Sequence, residues 1–172
     1  MLKLTYARTM AFAPTFLAGC LMVGALSLPA AARVVPTNPT PVPDSQRDEP
    51  PALDAQRLFA LGMIETGNDD RMIGQAGEIS RYQLSPPVWK SYSRSMDYRN
   101  PDVSWQVARR HWNFLAAYFK EKTGRQPTDF DMYVMWNTRY GYYAHKSFSP
   151  RQISPIVEER AQRFVNLVNR RD

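Results

Sequence analysis

One stretch, Leu61-Gly62-Met63-Ile64-Glu65-Thr66-Gly67, organises the rest of the chain. Its apolar run predicts a helix. Gly67 predicts the end of that helix, because glycine readily takes the left-handed conformation that follows a last turn. Glu65 would then lie where the negative end of the helix dipole opposes its ionisation, and burial would raise its pKa further. A carboxylic acid that keeps its proton near neutral pH can serve as a general acid. The alternative is a solvated glutamate at a helix end.

The chain after Gly67 predicts a short irregular insert followed by more helices. Residues 68–84 are rich in Gly, Asn and Asp and have only brief apolar pieces, which is typical of a loop or a small β-hairpin. Start and stop signals elsewhere predict a mostly α fold of about five helices, with residues 142–153 as a loop. The helices run from Asp48-Glu49-Pro50-Pro51 to Thr66, from Ser85-Pro86-Pro87 through Tyr92, from Asn100-Pro101 to Gly124, from the capping box Thr128-Asp129-Phe130-Asp131 to Gly141, and from Ser154-Pro155 through Val168.

Apolar residues at helical spacing predict which helix faces look inward. The chain is 44% hydrophobic, which is enough for one globular domain with its own core. Trp89, Trp112 and Phe164 are assigned to that core. The predicted inward residues are Leu53, Phe59, Ala60, Met63 and Ile64 in the first helix, Val103, Val107, Trp112, Leu115 and Phe119 in the longest, and Ile156, Val157, Phe164, Val165 and Val168 in the last.

The first 51 residues predict export rather than a folded domain. Residues 1–32 have a basic start, an apolar stretch and an Ala-rich cleavage site, the order of a secretory signal peptide. Residues 33–51 contain six of the fourteen prolines and predict an extended linker, which leaves residues 52–172 as the domain. A periplasmic or extracellular location follows. Two alternatives would tether the protein to a membrane, namely an uncleaved signal used as an anchor and a lipid attached to Cys20.

The cysteine count, the histidine positions and the net charge limit the kinds of site that the domain can contain. Cys20 is the only cysteine, so a disulfide and a cysteine nucleophile are both excluded from residues 52–172. His111 and His145 are too far apart in sequence to indicate a metal site, so no metal or cofactor is expected. The net charge of +6 suits an anionic polymer of the cell wall, although ordinary solubility explains it equally well. We expect a monomer that does not bind nucleic acid.

Four motifs in order resemble one known family. They are Glu65-Thr66-Gly67, the segment from Gly74 to Pro86 that contains Gln83-Leu84, Met135-Trp136-Asn137 followed by Gly141, and Glu158-Glu159-Arg160 followed by Phe164-Val165. Together they resemble the lysozyme-like superfamily, in particular the SLT-type lytic transglycosylase domain and the goose-type lysozymes. The resemblance covers residues 53–168. The chain departs from the family at Glu78-Ile79-Ser80-Arg81-Tyr82 and in a two-residue longer step between Asn137 and Gly141.

The resemblance implies an α+β lysozyme-like fold and cleavage of the β-1,4 bond between N-acetylmuramic acid and N-acetylglucosamine in peptidoglycan. Glu65 would be the general acid. A transglycosylase needs only this carboxylate, because groups of the substrate complete the reaction and leave a 1,6-anhydro sugar. Glu78 would instead position water in an inverting hydrolase. Its alternative role is a surface charge paired with Arg81 or Arg71.

Five further residues are expected to bind the glycan. The resemblance implies that Gln83 and Asn137 hydrogen-bond the sugar or support Glu65, with simple backbone support as the alternative. Tyr82, Trp136 and Tyr140 could stack on sugar faces, although Trp136 suits the core equally well. Two other functions stay open. One is a catalytically inert lysozyme-fold module that binds cell-wall glycan or a partner protein, and the other is a chitinase-like hydrolase.

Overall fold

The fold is mostly helical, as the sequence predicts. The computed structural model describes residues 49–170, so the predicted signal peptide, Cys20 and linker residues 33–48 lie outside the described residues. Within this part no helix is long and apolar enough to cross a membrane. The helices of residues 49–170 are α1 (Ala55–Thr66), α2 (Pro86–Tyr92), α3 (Pro101–Thr123), α4 (Asp129–Asn137), α5 (Tyr140–His145) and α6 (Pro155–Val168), with a 3-10 turn at Pro150–Gln152.

Local capping chemistry fixes several helix ends, although the side chains of the predicted caps Ser85 and Ser154 make no cap hydrogen bond. Gly67 ends α1 with φ of 69°, and Gly124 ends α3 with φ of 73°, both in the left-handed region that glycine tolerates. The Thr128 side chain accepts a hydrogen bond from the Asp131 amide, and Asp131 accepts one from the Thr128 amide, which confirms the predicted capping box. The start of α1 was predicted too early. Asp54 caps it, with a side chain that accepts from the Arg57 amide at 2.8 Å.

The region after α4 differs from the prediction. The α4 helix ends at Asn137, before the predicted stop at Gly141. Gly141 lies inside α5, which extends into the segment 142–153 that was predicted as a loop. Thr138 takes an extended conformation with ψ of 170°, which breaks the helix before the glycine. Packing of aromatic rings then stabilises α5, whose Tyr143 is fully buried against Phe119 and Phe148. Such long-range packing leaves no local signal in the sequence.

The insert between α1 and α2 is made of turns with one antiparallel bridge. The Ile79 and Leu84 backbones exchange two hydrogen bonds of 2.9 Å, and both side chains are buried. Ser80 and Gln83 have φ of 64° and 50°, so the four residues between the paired positions close tightly. No longer strand occurs in residues 49–170. The insert is therefore a minimal form of the predicted loop or hairpin.

The core is aromatic and lies mainly between α1, α3, α4 and α6. Trp89, Trp112 and Phe164 are fully buried, as predicted. Three predicted inward residues are wrong, because Phe59, Met63 and Ile156 are 53%, 42% and 67% exposed. The buried face of α1 is instead Ala60-Leu61-Gly62. Small residues there allow the insert to approach, since a side chain at Gly62 would collide with Asn68.

Candidate active site

A polar pocket of about 240 Å³ opens where four segments meet. The end of α1, the insert, the end of α4 and the first half of α6 all contribute to its wall. Its lining residues are Glu65, Glu78, Gln83, Trp136, Asn137 and Arg160. The fold thus brings together five of the seven predicted site residues and adds Arg160. A larger cleft of about 390 Å³ between residues 49–52 and α3 contains none of the predicted site residues.

Glu65 is held in a closed set of three hydrogen bonds. Its side chain is 7% exposed. The Tyr133 hydroxyl donates to Oε1 at 2.7 Å, and Arg160 Nη2 donates to Oε2 at 3.1 Å. Arg160 Nε also donates to the Tyr133 hydroxyl at 3.1 Å, which closes the triangle. Both carboxyl oxygens therefore have a fixed partner, and the carboxyl plane is fixed with them.

Opposing influences act on the ionisation of Glu65. Burial raises its pKa, while the donors Tyr133, Arg160 and Asn137 lower it, and the result is a raised pKa. Burial also raises the pKa of Tyr133, and the negative charge of Glu65 raises it further, so this hydroxyl stays a neutral donor. Glu65 therefore keeps its proton to a higher pH than an exposed glutamate, as predicted for the case in which packing buries it.

The turn after α1 positions Glu65 relative to the insert. Gly67 and Asn68 both have φ above 60°, so the chain reverses within two residues of the helix end. The Asn68 amide donates back to the Gly62 carbonyl at 3.0 Å. Thr66 Oγ1 donates to the Arg81 carbonyl at 3.0 Å, which joins the helix end to the insert. Glu65 and the insert are thus held by the same short segment.

Glu78 and Gln83 reach the pocket because Gly74 leaves room for them. A side chain at Gly74 would collide with Oε2 of Glu78 and Oε1 of Gln83. Glu78 accepts a hydrogen bond from the Ala76 amide at 3.1 Å, and Gln83 donates to the Ser80 carbonyl at 3.2 Å.

The alternative in which Glu78 pairs with an arginine is wrong within residues 49–170. Arg81 instead forms a two-pronged ion pair with Asp70. No ion pair joins Glu78 to Arg71 in this part of the chain. Glu78 therefore lines the pocket without an ion pair to an arginine or lysine among the described residues.

Trp136 and Asn137 bring the end of α4 into the pocket wall. Trp136 Nε1 donates to the Tyr82 carbonyl at 3.1 Å, and its half-buried ring lies 5.2 Å from the ring of His111. Asn137 is the last residue of α4 and lies close enough to Glu65 to hydrogen-bond its carboxylate. One helix end thus supplies an aromatic wall and an amide side by side.

Two predicted ligands of the glycan lie outside the pocket. Tyr82 is 5% exposed, so its ring belongs to the core and is not available for stacking. Tyr140 is 42% exposed at the start of α5, where its ring centre lies 5.5 Å from that of Phe114. Phe114 stacks on His111, which contacts Trp136. Tyr140 is therefore part of an aromatic surface that continues outward from the pocket wall.

Tyr133 and Arg160 were not among the predicted site residues, although both contact Glu65. Tyr133 precedes Asn137 by four positions, and residues four apart share a helix face. Arg160 precedes the buried Phe164 by the same spacing. Helical spacing could therefore have placed each of them on the face of an identified neighbour. What no local signal could supply is their meeting at Glu65, which is 68 and 95 positions away.

No metal site is formed within residues 49–170, since no three His, Cys, Asp or Glu side chains converge. His111 packs against Trp136, and burial lowers its pKa to about 4, so it is neutral at physiological pH. The chain matches no protein-family model, no curated protein sequence and no solved structure.

Proposed function

We propose that this protein cleaves the glycan strands of peptidoglycan at the β-1,4 bond between N-acetylmuramic acid and N-acetylglucosamine, as a lytic transglycosylase or a muramidase. One observation carries the proposal. Glu65 is a buried carboxyl group with a raised pKa, and it lines an open polar pocket. Such a group retains the proton that the glycosidic oxygen must receive as the C1–O4 bond breaks and positive charge develops on the sugar ring.

The other pocket residues supply binding and a choice of nucleophile. The amides of Gln83 and Asn137 can hydrogen-bond sugar hydroxyl and acetamido groups, and Trp136 offers a flat apolar face. In the transglycosylase route the C6 hydroxyl of the substrate attacks C1 and its proton returns to Glu65, which leaves a 1,6-anhydro sugar. In the hydrolytic route Glu78 accepts a proton from water as the water attacks C1, with inversion.

The test is mass spectrometry of the products formed from purified glycan strands. Anhydro ends identify a transglycosylase, and new reducing ends identify a hydrolase. Chitin oligomers serve as a second substrate, and their preferential cleavage would indicate the chitinase-like alternative. Glu65→Gln should abolish product formation, whereas Glu121→Gln should not, because Glu121 is exposed and pairs only with its neighbour Lys122 among the described residues. Absence of any product from either substrate would refute cleavage.

The second candidate is an inert module that binds glycan without cleaving it. The ion pair between Arg160 and Glu65 favours this alternative, because a guanidinium stabilises the ionised carboxylate that has no proton to give. Co-sedimentation with insoluble peptidoglycan measures binding independently of cleavage. An inert module would sediment with the polymer and release nothing, and Glu65→Gln would leave both results unchanged.

The proposal also includes export to the periplasm or the extracellular space as a monomer. The basic, apolar and Ala-rich order of residues 1–32 supports it, and the Pro-rich residues 33–51 would form a spacer to the cell wall. Cell fractionation combined with mass spectrometry of the N-terminus distinguishes a cleaved signal peptide, an uncleaved membrane anchor and a lipoprotein. A start at Arg33 indicates a cleaved signal, an intact Met1 in the membrane fraction indicates an anchor, and a lipidated Cys20 indicates a lipoprotein.

A further inference from the structure

Arg160 occupies an unusual position for a residue beside a general acid. Its Nη2 atom donates to Oε2 of Glu65 at 3.1 Å and lies 3.4 Å from the Ile64 carbonyl oxygen. It thus places a positive charge at the C-terminal end of α1, where the helix dipole is negative. The dipole and the burial both oppose ionisation of Glu65, so Arg160 counteracts them at the point where they act.

Arg160 also fixes the direction of the hydrogen bonds around Glu65. A guanidinium group can only donate, so the Tyr133 hydroxyl must accept from Arg160 Nε. The single hydroxyl proton of Tyr133 is then committed to Oε1 of Glu65. The orientation of the carboxyl group depends on Arg160 twice, once directly and once through Tyr133.

Among the described charged and titratable groups around Glu65, Arg160 is the one that stabilises the ionised carboxylate by its charge. The insert contributes the carboxylate of Glu78 across the pocket, and α4 contributes the neutral Tyr133. On α6 the charge of Glu159 acts on Arg160 itself. The negative charge of Glu78 favours a proton on Glu65, and that of Glu159 weakens the attraction between Arg160 and Glu65. In the described part of the chain Arg160 is the one cation paired with Glu65.

We propose that Arg160 is a positioning residue for Glu65, which orients the carboxyl group through Tyr133 and sets the pH above which Glu65 loses its proton. This inference rests on the proposed function only in so far as that proton is the catalytic one. Electrostatics determines the direction in which the pKa of Glu65 changes when Arg160 is removed. Without the guanidinium, burial acts with less opposition, so Glu65 holds its proton to a higher pH.

The closing experiment titrates Glu65 directly in the full chain. Glutamate carboxyl groups are labelled with ¹³C, and the Glu65 signal is assigned by its loss in Glu65→Gln. Arg160→Gln should move the titration midpoint upward by about one pH unit or more, the usual effect of one opposite charge within 4–6 Å. Arg160→Lys keeps the charge and should leave the midpoint close to that of the wild type. Arg163→Gln, on the same helix with a 62% exposed side chain, is the matched control.

A pH–rate profile of glycan cleavage supplies the second readout. The alkaline limb of kcat/KM should move upward in Arg160→Gln in step with the NMR midpoint. Arg160→Lys should retain the wild-type limb with a kcat about 10-fold lower, because an ammonium cannot hold Glu65 and Tyr133 at once.

An unchanged midpoint in a folded Arg160→Gln protein would overturn the inference, with circular dichroism as the check on folding. Should Arg160→Gln fail to fold, the Arg160→Lys profile decides. A displaced alkaline limb, or an unchanged kcat, would count against the proposed role. If the wild type releases no product, the proposed function fails, and the NMR titration still decides whether Arg160 controls Glu65.

Discussion

Glu65 connects the local and the long-range features of this protein, because its neighbours in sequence place it at a helix end and its neighbours in space set its ionisation. Burial gives it a raised pKa in the folded state. A carboxyl group of this kind contributes stability that is fully present below its unfolded pKa and is lost as the pH rises through its folded pKa. The sign is opposite to that of an ordinary paired carboxylate such as Asp131, whose pKa is lowered by Arg125 and Thr128 against the effect of burial.

We expect this difference to appear in the melting temperature of Glu65→Gln. Relative to the variant, wild-type protein should lose stability between pH 4 and pH 8, because the buried carboxyl is uncharged below its raised pKa and charged above it. Loss of the Arg160 contact affects the variant at both pH values, so the change between them isolates the ionisation. Thermal unfolding followed by circular dichroism at the two pH values is the measurement. A difference that grows with pH would show that Glu65 is an ordinary ion-pair partner.

Tyr133→Phe is the second test at this scale. The change removes the donor to Oε1 of Glu65 and leaves the half-buried Arg160 Nε without its acceptor. We expect roughly 1–3 kcal/mol lower stability and at least about 10-fold lower cleavage, since hydrogen bonds to charged groups contribute more than neutral ones and the carboxyl loses its orientation. Tyr118→Phe is the control, because Tyr118 is only partly buried and its hydroxyl makes no hydrogen bond among the described residues. Equal effects from both changes would assign the loss to packing.

The residue scale also shows which site residues a sequence can reveal. Glu65 stands beside a strong local signal, the helix-stopping Gly67, so it could be singled out from its neighbours in sequence. Gln83 and Asn137 could be predicted only through the resemblance of their motifs to a known family. Tyr133 and Arg160 sit inside regular helices, where helical spacing indicates the face that each occupies but not a role at Glu65. Their role exists only after α4 and α6 have packed against α1, and this packing depends on residues throughout the core.

Among the structural elements, the insert is the one whose backbone places Glu78 and Gln83 in the pocket. Gly74→Ala places a methyl group against Glu78 and Gln83 and should displace both from the pocket. Gly77→Ala strains the backbone instead, because Gly77 has φ of 84° with open space around it. We expect at least about 10-fold lower cleavage from Gly74→Ala, since small misplacements of positioning groups have large effects on rate.

The two glycine variants should separate activity from stability. Gly77→Ala should lower the melting temperature at least as much as Gly74→Ala, because a left-handed residue other than glycine costs roughly 1 kcal/mol or more. Cleavage assays and thermal unfolding of both variants give the comparison. If activity simply follows stability in the two proteins, Glu78 and Gln83 are not part of the site.

The ends of helices could be predicted where capping hydrogen bonds or a glycine determine them. The buried faces of helices could not, because they depend on tertiary packing. The Thr128 capping box and the Gly67 and Gly124 stops are local hydrogen-bond and φ requirements, so they could be identified. The inward face of α1 could not, because Phe59 and Met63 satisfy helical spacing as well as Leu61 does. The approach of Asn68 to Gly62 selects the small-residue face, and this contact forms only in the folded chain.

At the scale of the whole molecule, the aromatic surface that leads outward from the pocket indicates the path along which a glycan strand would bind. Trp136, His111, Phe114 and Tyr140 are in successive ring contact, starting at the pocket wall and ending at a ring that is 42% exposed. If a glycan strand follows this surface, Tyr140 contacts sugars remote from the scissile bond. Binding energy from such remote contacts affects long substrates and not short ones.

Tyr140→Ala should therefore weaken cleavage of long glycan strands and spare that of short fragments. We expect kcat/KM to fall about 5- to 10-fold on the polymer, the usual contribution of one stacked ring, with little change on a tetrasaccharide. Ile156→Ala is the control, because it removes a 67% exposed apolar side chain from α6. The measurement is product release from strands of graded length. A loss that is the same at every length would place Tyr140 at the reacting sugars or in the stability of α5, and melting temperatures separate those two cases.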